Sequence, residues 1–315
     1  MKKRFLLLLC CLFVSLLQGY AQRIVFTPQW TPQSQFAGYY AALEKGFYAD
    51  MGLDVEIVHP TKSYSSLNML KDGTTNIITS ELIQAMVATD KEIKLVNLLQ
   101  TTQHSTLVLI SHSKDIKKLS NLAGRRVGIW KVGFGEVPHM IDEEQNLGIE
   151  WIQFINPLNM YISGAIDATL GKSYNEQILF SMSGITPGSI LEFSRLGYDY
   201  PEDGLYVSEE FYKKYPEQCK KFAEASRKGW EWVRNNRNEA LDIVMKYVKA
   251  ENVPTNVYNQ KWMLETILQV QEDVKGGEPS YTLSSDALEI LNKELIEHRY
   301  ISKPIEYKRF IGEEQ

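Results

Sequence analysis

The chain has 315 residues, of which 44% are apolar, and a formal net charge of −5 at pH 7. This length is sufficient for two compact domains, each with its own core. The acidic balance argues against nucleic acid as a partner, and it gives no electrostatic assistance to the binding of anions.

Residues 1–22 are predicted to be a secretion signal. Basic residues follow the initial Met, residues 5–17 form an apolar run that is short for a membrane span, and Ala21 ends a small-residue cleavage site. A retained membrane anchor is the alternative interpretation. After removal of the signal we expect a periplasmic protein without a transmembrane segment. Cys219 is then the one remaining cysteine, so no disulfide and no cysteine metal site is expected.

Short apolar strands alternate with helical segments in the first part of the chain. The predicted strands are residues 23–27, 53–58, 75–79, 93–99 and 105–111. The predicted helices are one that begins at residue 33 or 34 and ends at 45, and two more at residues 65–71 and 82–89. This alternation predicts βαβ units and a parallel sheet.

The same alternation starts again after residue 111 and gives way to helices after residue 202. The middle part is predicted to contain strands at 126–130, 151–155 and 166–170 and helices at 116–122, 137–145, 158–164 and 175–182. A brief strand at 205–207 is followed by helices at 208–215, 217–235, 237–251, 257–270 and 284–296. We therefore predict an α/β fold of two doubly wound lobes joined by a two-crossing hinge, the first lobe formed by residues 23–108 and 204–315 and the second by the inserted residues 109–203.

The loop after the first strand is the first candidate for a ligand site. Trp30 lies just past the carboxyl end of that strand, which is where ligands bind in open α/β sheets. A loop tryptophan can stack on a flat ligand, and Gln33 can bond to its polar edges. The alternative is that Trp30 packs under its own loop.

An equivalent strand–loop–helix junction in the second predicted lobe is the second candidate. Its residues are Trp130, Lys131, Gly133, Phe134 and Gly135. The two glycines would let the backbone approach a ligand and would expose amide N–H groups at the start of the helix. The loop is not a dinucleotide-binding fingerprint, because Pro138 interrupts the GxGxxG pattern. A plain tight turn is the alternative.

Polar residues after further strands form the third set of candidates. Tyr174, Asn175 and Glu176 follow the strand at 166–170, and the Glu176 carboxylate can accept a hydrogen bond from an exocyclic amine or a ring N–H. The alternative is an ordinary first-turn carboxylate that interacts with the helix dipole. Weaker candidates at comparable edges are Ser80, Glu81 and Asp203.

The sequence offers no catalytic constellation. Its five histidines are scattered, without an HExxH or other paired spacing, and a GxSxG elbow, a P-loop and a CxxC motif are absent. We therefore predict a binding protein rather than an enzyme, with no catalytic residues, no metal site and no cofactor.

Several segments resemble a known family. They are Trp-Thr-Pro at 30–32, Gly-Tyr-Tyr-Ala at 38–41, Lys-Gly-Phe-Tyr through Val at 45–55, and the later stretches 122–130, 166–177 and 201–207. In this order, over roughly residues 24–250, they resemble the periplasmic substrate-binding proteins related to thiamine-pyrimidine synthases.

The resemblance implies a type II periplasmic-binding fold that closes on its ligand and presents it to the permease of an ABC importer. Relatives bind pyrimidines, sulfonates, nitrate or riboflavin precursors. Pyrimidine binders often carry Asn and His where this chain has residues 33–36, and the fungal synthases use a cysteine cluster that this chain lacks. Carried over by position, the residues that would line the cleft are Trp30, Gln33, Tyr39, Trp130, the loop 133–135 and, opposite, residues 174–176.

Our leading prediction is a monomeric protein that captures hydroxymethyl- or formylaminopyrimidine by aromatic stacking between its lobes. An aliphatic sulfonate or nitrate is the alternative ligand class, for which Lys131 and the loop amides would have to supply the positive partners. Two other classes stay open: an enzyme of pyrimidine synthesis, and a sensor domain that passes its closed state to a membrane receptor.

Overall fold

The structure, a computed structural model, describes residues 23–61, 64–131, 133–154, 157–272 and 277–313. The predicted secretion signal at residues 1–22 therefore lies outside the described residues. Within the ranges that are described, no helix combines the length and the apolar character needed to cross a membrane.

The strands of the described chain form two five-stranded sheets. In chain order they are β1 (Ile24–Thr27), β2 (Val55–Ile57), β3 (Ile77–Glu81), β4 (Leu95–Gln100), β5 (Leu107–Ser111), β6 (Arg126–Trp130), β7 (Glu150–Phe154), β8 (Ala168–Lys172), β9 (Ser189–Glu192) and β10 (Asp203–Ser208). The first sheet has the order β2-β1-β3-β10-β4, and the second has the order β7-β6-β8-β5-β9.

Both sheets are mixed, which corrects the predicted parallel sheet. β1 pairs in parallel with β2 and β3, and β6 pairs in parallel with β7 and β8. In contrast, β10 runs antiparallel to β3 and β4, and β5 runs antiparallel to β8 and β9. The reason is that β5 and β10 each begin where the chain has just crossed from the other sheet. Each therefore starts at the edge where its parallel neighbours end.

The helices largely follow the predicted pattern. They are α1 (Ala37–Glu44), α2 (Phe47–Asp50), α3 (Ser66–Lys71), α4 (Leu82–Lys91), α5 (Glu136–Gln145), α6 (Leu158–Ile162), α7 (Glu176–Met182), α8 (Glu209–Lys214), α9 (Pro216–Asn235), α10 (Arg237–Ala250), α11 (Val257–Val270), α12 (Ser285–Glu297) and α13 (Tyr307–Phe310). The helix predicted at 116–122 is wrong: Lys118 is extended, and a short 3-10 helix follows at Leu119–Leu122. The sequence pattern also missed α2, β9 and α13, which are four residues each.

Apolar side chains cover both faces of each sheet, as a doubly wound arrangement requires. Successive strand residues alternate between the faces: Ile77 packs in one apolar cluster with α1 and α9, and Ile78 packs in another with α4 and α12. In the second sheet, Leu109 and Ile110 divide between two clusters in the same way.

A glycine within the family-like segment lets α1 approach α9 closely. A Cβ atom on Gly38 would lie 2.2 Å from Cδ2 of Trp230, and one on Gly229 would lie 2.1 Å from the carbonyl oxygen of Gly38. Trp230 is fully buried in the core. Any side chain at position 38 would therefore force the two helices apart.

The chain crosses between the sheets twice, after β4 and again before β10. The predicted lobe boundary at 108/109 falls inside β5, and the one at 203/204 falls inside β10. β5 begins two residues after the start of the strand predicted at 105–111, whereas β10 begins two residues before the strand predicted at 205–207. We propose a first lobe formed by the first sheet with α1–α4 and α8–α13, and a second lobe formed by the second sheet with α5–α7.

Candidate functional site

The carboxyl ends of the parallel strands of the two sheets face each other. β3 of the first lobe ends at Glu81, and β8 of the second lobe ends at Lys172. Glu81 Oε1 lies 2.6 Å from Lys172 Nζ, so the lobes meet here. We call the space around these two residues the cleft, and it is the position at which open α/β folds bind ligands.

Lys172 is a buried cation between two carboxylates and an aromatic ring. Besides Glu81, its Nζ lies 3.0 Å from Oε2 of Glu202 and 5.1 Å from the centre of the Phe134 ring. The Lys172 side chain is only 6% exposed. An ion pair this deeply buried stays stable only while each charge keeps its partner.

Glu202 joins this ion pair to the hinge. The residue lies in the second crossing, and its Oε1 accepts hydrogen bonds from Ser105 Oγ at 2.8 Å and from the Thr106 amide at 2.9 Å. Ser105 and Thr106 belong to the first crossing. One carboxylate therefore contacts both crossings and the cation of the cleft.

The cleft has more negative than positive groups. Burial works against the charged form of Lys172, but the carboxylates of Glu202 and Glu81 outweigh it and raise the pKa of the ammonium. Burial raises the pKa of Glu81 above its ordinary value, although Lys172 opposes the shift. Burial likewise raises the pKa of Asp203 to about 6, against a hydrogen bond from Gln35. Such a site favours ligand groups that donate hydrogen bonds or carry positive charge.

A chain of amide groups holds Asp203 at the first-lobe side of the cleft. Gln29 Nε2 donates to its Oδ1 at 2.7 Å, and Gln35 Nε2 donates to its Oδ2 at 2.6 Å. Gln33 Nε2 in turn donates to the Gln35 side-chain oxygen. The Gln33 side chain is thus buried and bonded within its own loop. Gln35, and not Gln33, contacts Asp203.

The two aromatic candidates of the first lobe have different surroundings. Trp30 is 48% exposed, and its carbonyl oxygen is 2.6 Å from Nδ1 of His59. Tyr39 is 1% exposed, and its ring lies 4.8 Å from Phe26 and 5.8 Å from Trp230 between ring centres. Tyr39 is therefore a core residue of the first lobe, since the apolar face of α1 points it toward α9.

The loop after β6 brings the Phe134 side chain to the cleft, with Trp130 packed beside it. The ring of Trp130 lies 5.2 Å from that of Phe134 and 5.6 Å from that of Phe154. Gly133 has φ of +73°, and a Cβ atom there would lie 2.5 Å from Nε2 of Gln84 on α4 of the first lobe. Lys131 is exposed, and Gly135 directly precedes α5.

The remaining candidates are held mainly by their own turns. Glu176 Oε2 accepts a hydrogen bond from the Lys172 amide at 2.8 Å, and its Oε1 accepts one from Asn175 Nδ2 at 3.1 Å. Tyr174 is buried and packs with the core cluster of the first lobe, so it is a contact between the lobes. Ser80 is buried within β3, where its hydroxyl donates to the Glu81 carbonyl oxygen at 3.3 Å.

A cavity of about 30 Å³ remains at this point, with space for roughly one or two water molecules. Of the predicted candidates, Glu81 and Phe134 line it, together with Lys172, Glu202 and Glu136. A heteroaromatic ring needs more room than this, so the lobes must separate to admit one. Among the described residues, no group of His, Cys, Asp and Glu side chains is placed to hold a metal ion.

Lys172 and Glu202 were not predicted as site residues. The predicted strand ends at residue 170, two residues before Lys172, which is the last residue of β8. Glu202 stands in a Pro-Glu-Asp-Gly sequence that is typical of a turn. The available signal was a lysine shortly after one predicted strand and a glutamate shortly before another, and their pairing depends on how the lobes approach each other.

The sequence matches the family model described as NMT1/THI5 like over residues 33–240. The formylaminopyrimidine-binding protein of Halalkalibacterium halodurans is 24% identical over 295 residues, which cover 88% of this chain and 85% of that protein. The 4-amino-5-hydroxymethyl-2-methylpyrimidine phosphate synthase THI13 of Saccharomyces cerevisiae is 24% identical over 232 residues, or 67% of each chain.

A solved structure resembles the whole fold. The periplasmic aliphatic sulphonate binding protein SsuA from Escherichia coli superposes with a TM-score of 0.65 at 12% identity, covering 93% of this chain and 92% of that one. At this identity the likeness concerns the fold alone. It confirms the predicted type II periplasmic-binding fold.

Proposed function

This chain belongs to the NMT1/THI5-like family, and on that premise we propose that it is the solute-binding component of an ABC importer for a thiamine pyrimidine precursor. The ligand is hydroxymethyl- or formylaminopyrimidine, held between the lobes. A relative that is 24% identical is named for binding formylaminopyrimidine. The fold shared with a periplasmic binding protein supports a periplasmic location.

The observation that carries the proposal is the combination of buried carboxyl groups and aromatic rings in the cleft. Glu81 and Asp203 accept hydrogen bonds, and the exocyclic amine of an aminopyrimidine donates them. The Trp130 and Phe134 rings provide flat apolar surface beside them. Glu81 and Asp203 already have partners within the protein, so each would accept from the ligand with a remaining lone pair. A ligand donor that closure buries without an acceptor costs about 1–3 kcal/mol.

The same electrostatics disfavour a sulfonate or nitrate. An anion needs cationic partners or free amide N–H groups, and the Lys172 ammonium is already paired with Glu81 and Glu202. Lys131 is the cation of the loop after β6, and its side chain is exposed. An anion in the cleft would also meet the carboxyl groups of Glu81, Glu136 and Glu202, which line it. The anion-binding alternative is therefore not supported by the charges of the cleft.

Ligand capture follows from the hinge. In the open form the ligand contacts one lobe, and on closure it contacts both, so the ligand stabilises the closed form by the contacts made only there. Glu202 holds the two crossings together, so the lobes move relative to each other about this one region. The importer permease then receives the closed complex.

Ligand-dependent thermal unfolding tests the proposal. A ligand at about 100 times its dissociation constant adds about 2.7 kcal/mol to the free energy of unfolding. We expect both pyrimidines to raise the midpoint by several degrees, with taurine, an alkanesulfonate, nitrate and riboflavin without effect. A shift produced by a sulfonate alone would contradict the proposed ligand but would not contradict the assigned fold.

Replacement of Trp130 by Ala tests the stacking contact. We expect pyrimidine binding to weaken by roughly 1–3 kcal/mol, the range of base–aromatic stacking, as measured by titration calorimetry. Trp232, whose ring contacts Lys45 on the first lobe, provides the matched Trp→Ala control, which should leave affinity unchanged. Equal affinities in Trp130→Ala and the unsubstituted protein would refute stacking on this ring.

A further inference from the structure

A second contact between the lobes lies at the end of α12. None of the residues that line the cleft cavity takes part in it. His298 follows α12 of the first lobe directly, and Arg299, in the left-handed region with φ of +61°, turns the chain away. The His298 ring therefore projects beyond the helix end toward α5 of the second lobe. A helix carboxyl end also favours a positive charge at this position.

Each ring nitrogen of His298 faces a carboxylate on α5. Nδ1 lies 2.9 Å from Oε2 of Glu143, and Nε2 lies 3.1 Å from Oε1 of Glu144. Carboxylates accept hydrogen bonds, and a neutral imidazole has a single N–H to donate. Both contacts are satisfied together by the doubly protonated ring, which donates from each nitrogen.

We propose that His298 is a positioning residue for lobe closure, a proton-dependent clamp that donates to Glu143 and Glu144 across the lobe interface and favours the closed form at acidic pH. Its side chain is 6% exposed, so the contact is shielded on the histidine side. Met140, on the same helix α5, is buried in the apolar cluster that contains Leu291 and Leu295 of α12. The clamp thus closes over an apolar contact and does not depend on which ligand the cleft binds.

The protonation equilibrium agrees with this geometry. Burial of the ring lowers the pKa of His298, but the hydrogen bonds with Glu143 and Glu144 outweigh burial and raise it above the ordinary value of 6.5. A raised pKa means that the stabilisation is fully present below pH 6.5 and is lost as the pH rises through the raised value. Closure should therefore weaken from slightly acidic to alkaline pH.

Other titratable or charged groups lie around this interface. They are Glu136 and His139 on α5, Tyr198 in the second crossing, Glu294 and Glu297 on α12, and Arg299 and Tyr300 after it. Burial raises the pKa of Tyr198, and it raises the pKa of Tyr300 to about 12, so both phenols stay neutral. Burial lowers the pKa of His139 on α5, so His298 is the group of this interface whose charge changes between pH 6 and 8. The carboxyl groups of Glu81 and Asp203, whose pKa values burial raises, belong to the cleft.

The test measures the distance between the lobes as a function of pH. Spin labels on Lys221→Cys in α9 and Gln153→Cys in β7, both exposed positions, report the open and closed populations. We expect the closed-to-open ratio to fall by roughly twofold to tenfold between pH 5.5 and 8.5. In His298→Gln and in the double variant Glu143→Gln/Glu144→Gln the fall should be smaller, and what remains is the contribution of Glu81 and Asp203 in the cleft.

Two further measurements keep the result decisive. Glu150→Gln, which removes an exposed carboxylate of the same lobe, is the matched control and should retain the full pH dependence. NMR titration of the His298 ring in the unsubstituted protein gives its pKa without any substitution. An unchanged pH profile in His298→Gln, or a ring that titrates at or below pH 6.5, would overturn the proposal.

Discussion

Lys172 and His298 both connect the lobes through two carboxylates, yet they differ in burial and in chemistry. The inner contact, Lys172 with Glu81 and Glu202, has side chains that are 6% to 12% exposed. In the outer contact, His298 with Glu143 and Glu144, the carboxylates are 74% and 43% exposed. A lysine keeps its charge throughout the neutral range, whereas a histidine changes its charge within it.

The comparison separates two tasks of a closing protein. A buried ion pair costs several kcal/mol to desolvate, so its value lies in geometry: it fixes which groups meet when the lobes close. An ion pair with solvent-exposed carboxylates contributes little free energy but responds to pH and salt. We infer that the inner contact determines the closed geometry and that the outer contact adjusts how often it forms.

Removal of the inner cation should have the largest effect. Lys172→Met leaves the carboxylates of Glu81 and Glu202 without their partner in a buried site, which is expected to cost about 3–5 kcal/mol of the free energy of unfolding. Urea denaturation measures this cost. The expected loss is larger above neutral pH, where Glu81 is ionised, than below it, because protonation of Glu81 removes one unpaired charge.

Two variants sharpen this prediction. Lys172→Met combined with Glu81→Gln removes an uncompensated carboxylate, so it should recover part of the loss in a double-mutant cycle. Lys261→Met, at an exposed lysine of α11, is the matched control and should stay within ~0.5 kcal/mol of the original protein. A Lys172→Met protein as stable as the control would mean that the inner contact does not hold the lobes.

A substitution in the loop after β6 should have a smaller effect. Gly133→Ala adds a Cβ in the left-handed region, at a cost of roughly 1–2 kcal/mol, and places it against Gln84 of the first lobe. Gly148, with φ of +62° and open space around it, offers the same backbone cost without a neighbour. We expect Gly133→Ala to weaken pyrimidine binding and Gly148→Ala to leave it unchanged. If calorimetry shows the same loss of affinity in both variants, the loss comes from backbone strain and not from the contact with Gln84.

The sequence was sufficient for the fold because its signals are local. Alternation of short apolar runs with helical periodicity predicted most elements of both lobes, and the family-like segments predicted the fold class. The antiparallel course of β5 and β10 was missed, since strand direction depends on where the chain enters a sheet. Likewise, β9 and α13 are too short to show a period.

The site was harder to predict because its contacts join residues far apart in sequence. Glu81 and Phe134 were predicted and line the cleft, whereas Tyr39 lies in the core. A tyrosine on a helix can face the sheet or the ligand, and the sequence alone did not distinguish these. Lys172 and Glu202 acquire their roles only when β8 and the second crossing meet, which no local pattern describes.

Salt should produce the smallest effect and should separate the two contacts most directly. At 1 M ionic strength the Debye length is about 3 Å, so charges on exposed carboxylates are largely screened while buried pairs are screened much less. We expect the pKa of His298, followed by NMR, to move down toward its ordinary value between low salt and 1 M NaCl, because Glu143 and Glu144 are exposed. The loss of stability in Lys172→Met should stay the same at both salt concentrations. If salt left the His298 ring unaffected and reduced the Lys172→Met loss, the assignment of inner and outer contacts would have to be reversed.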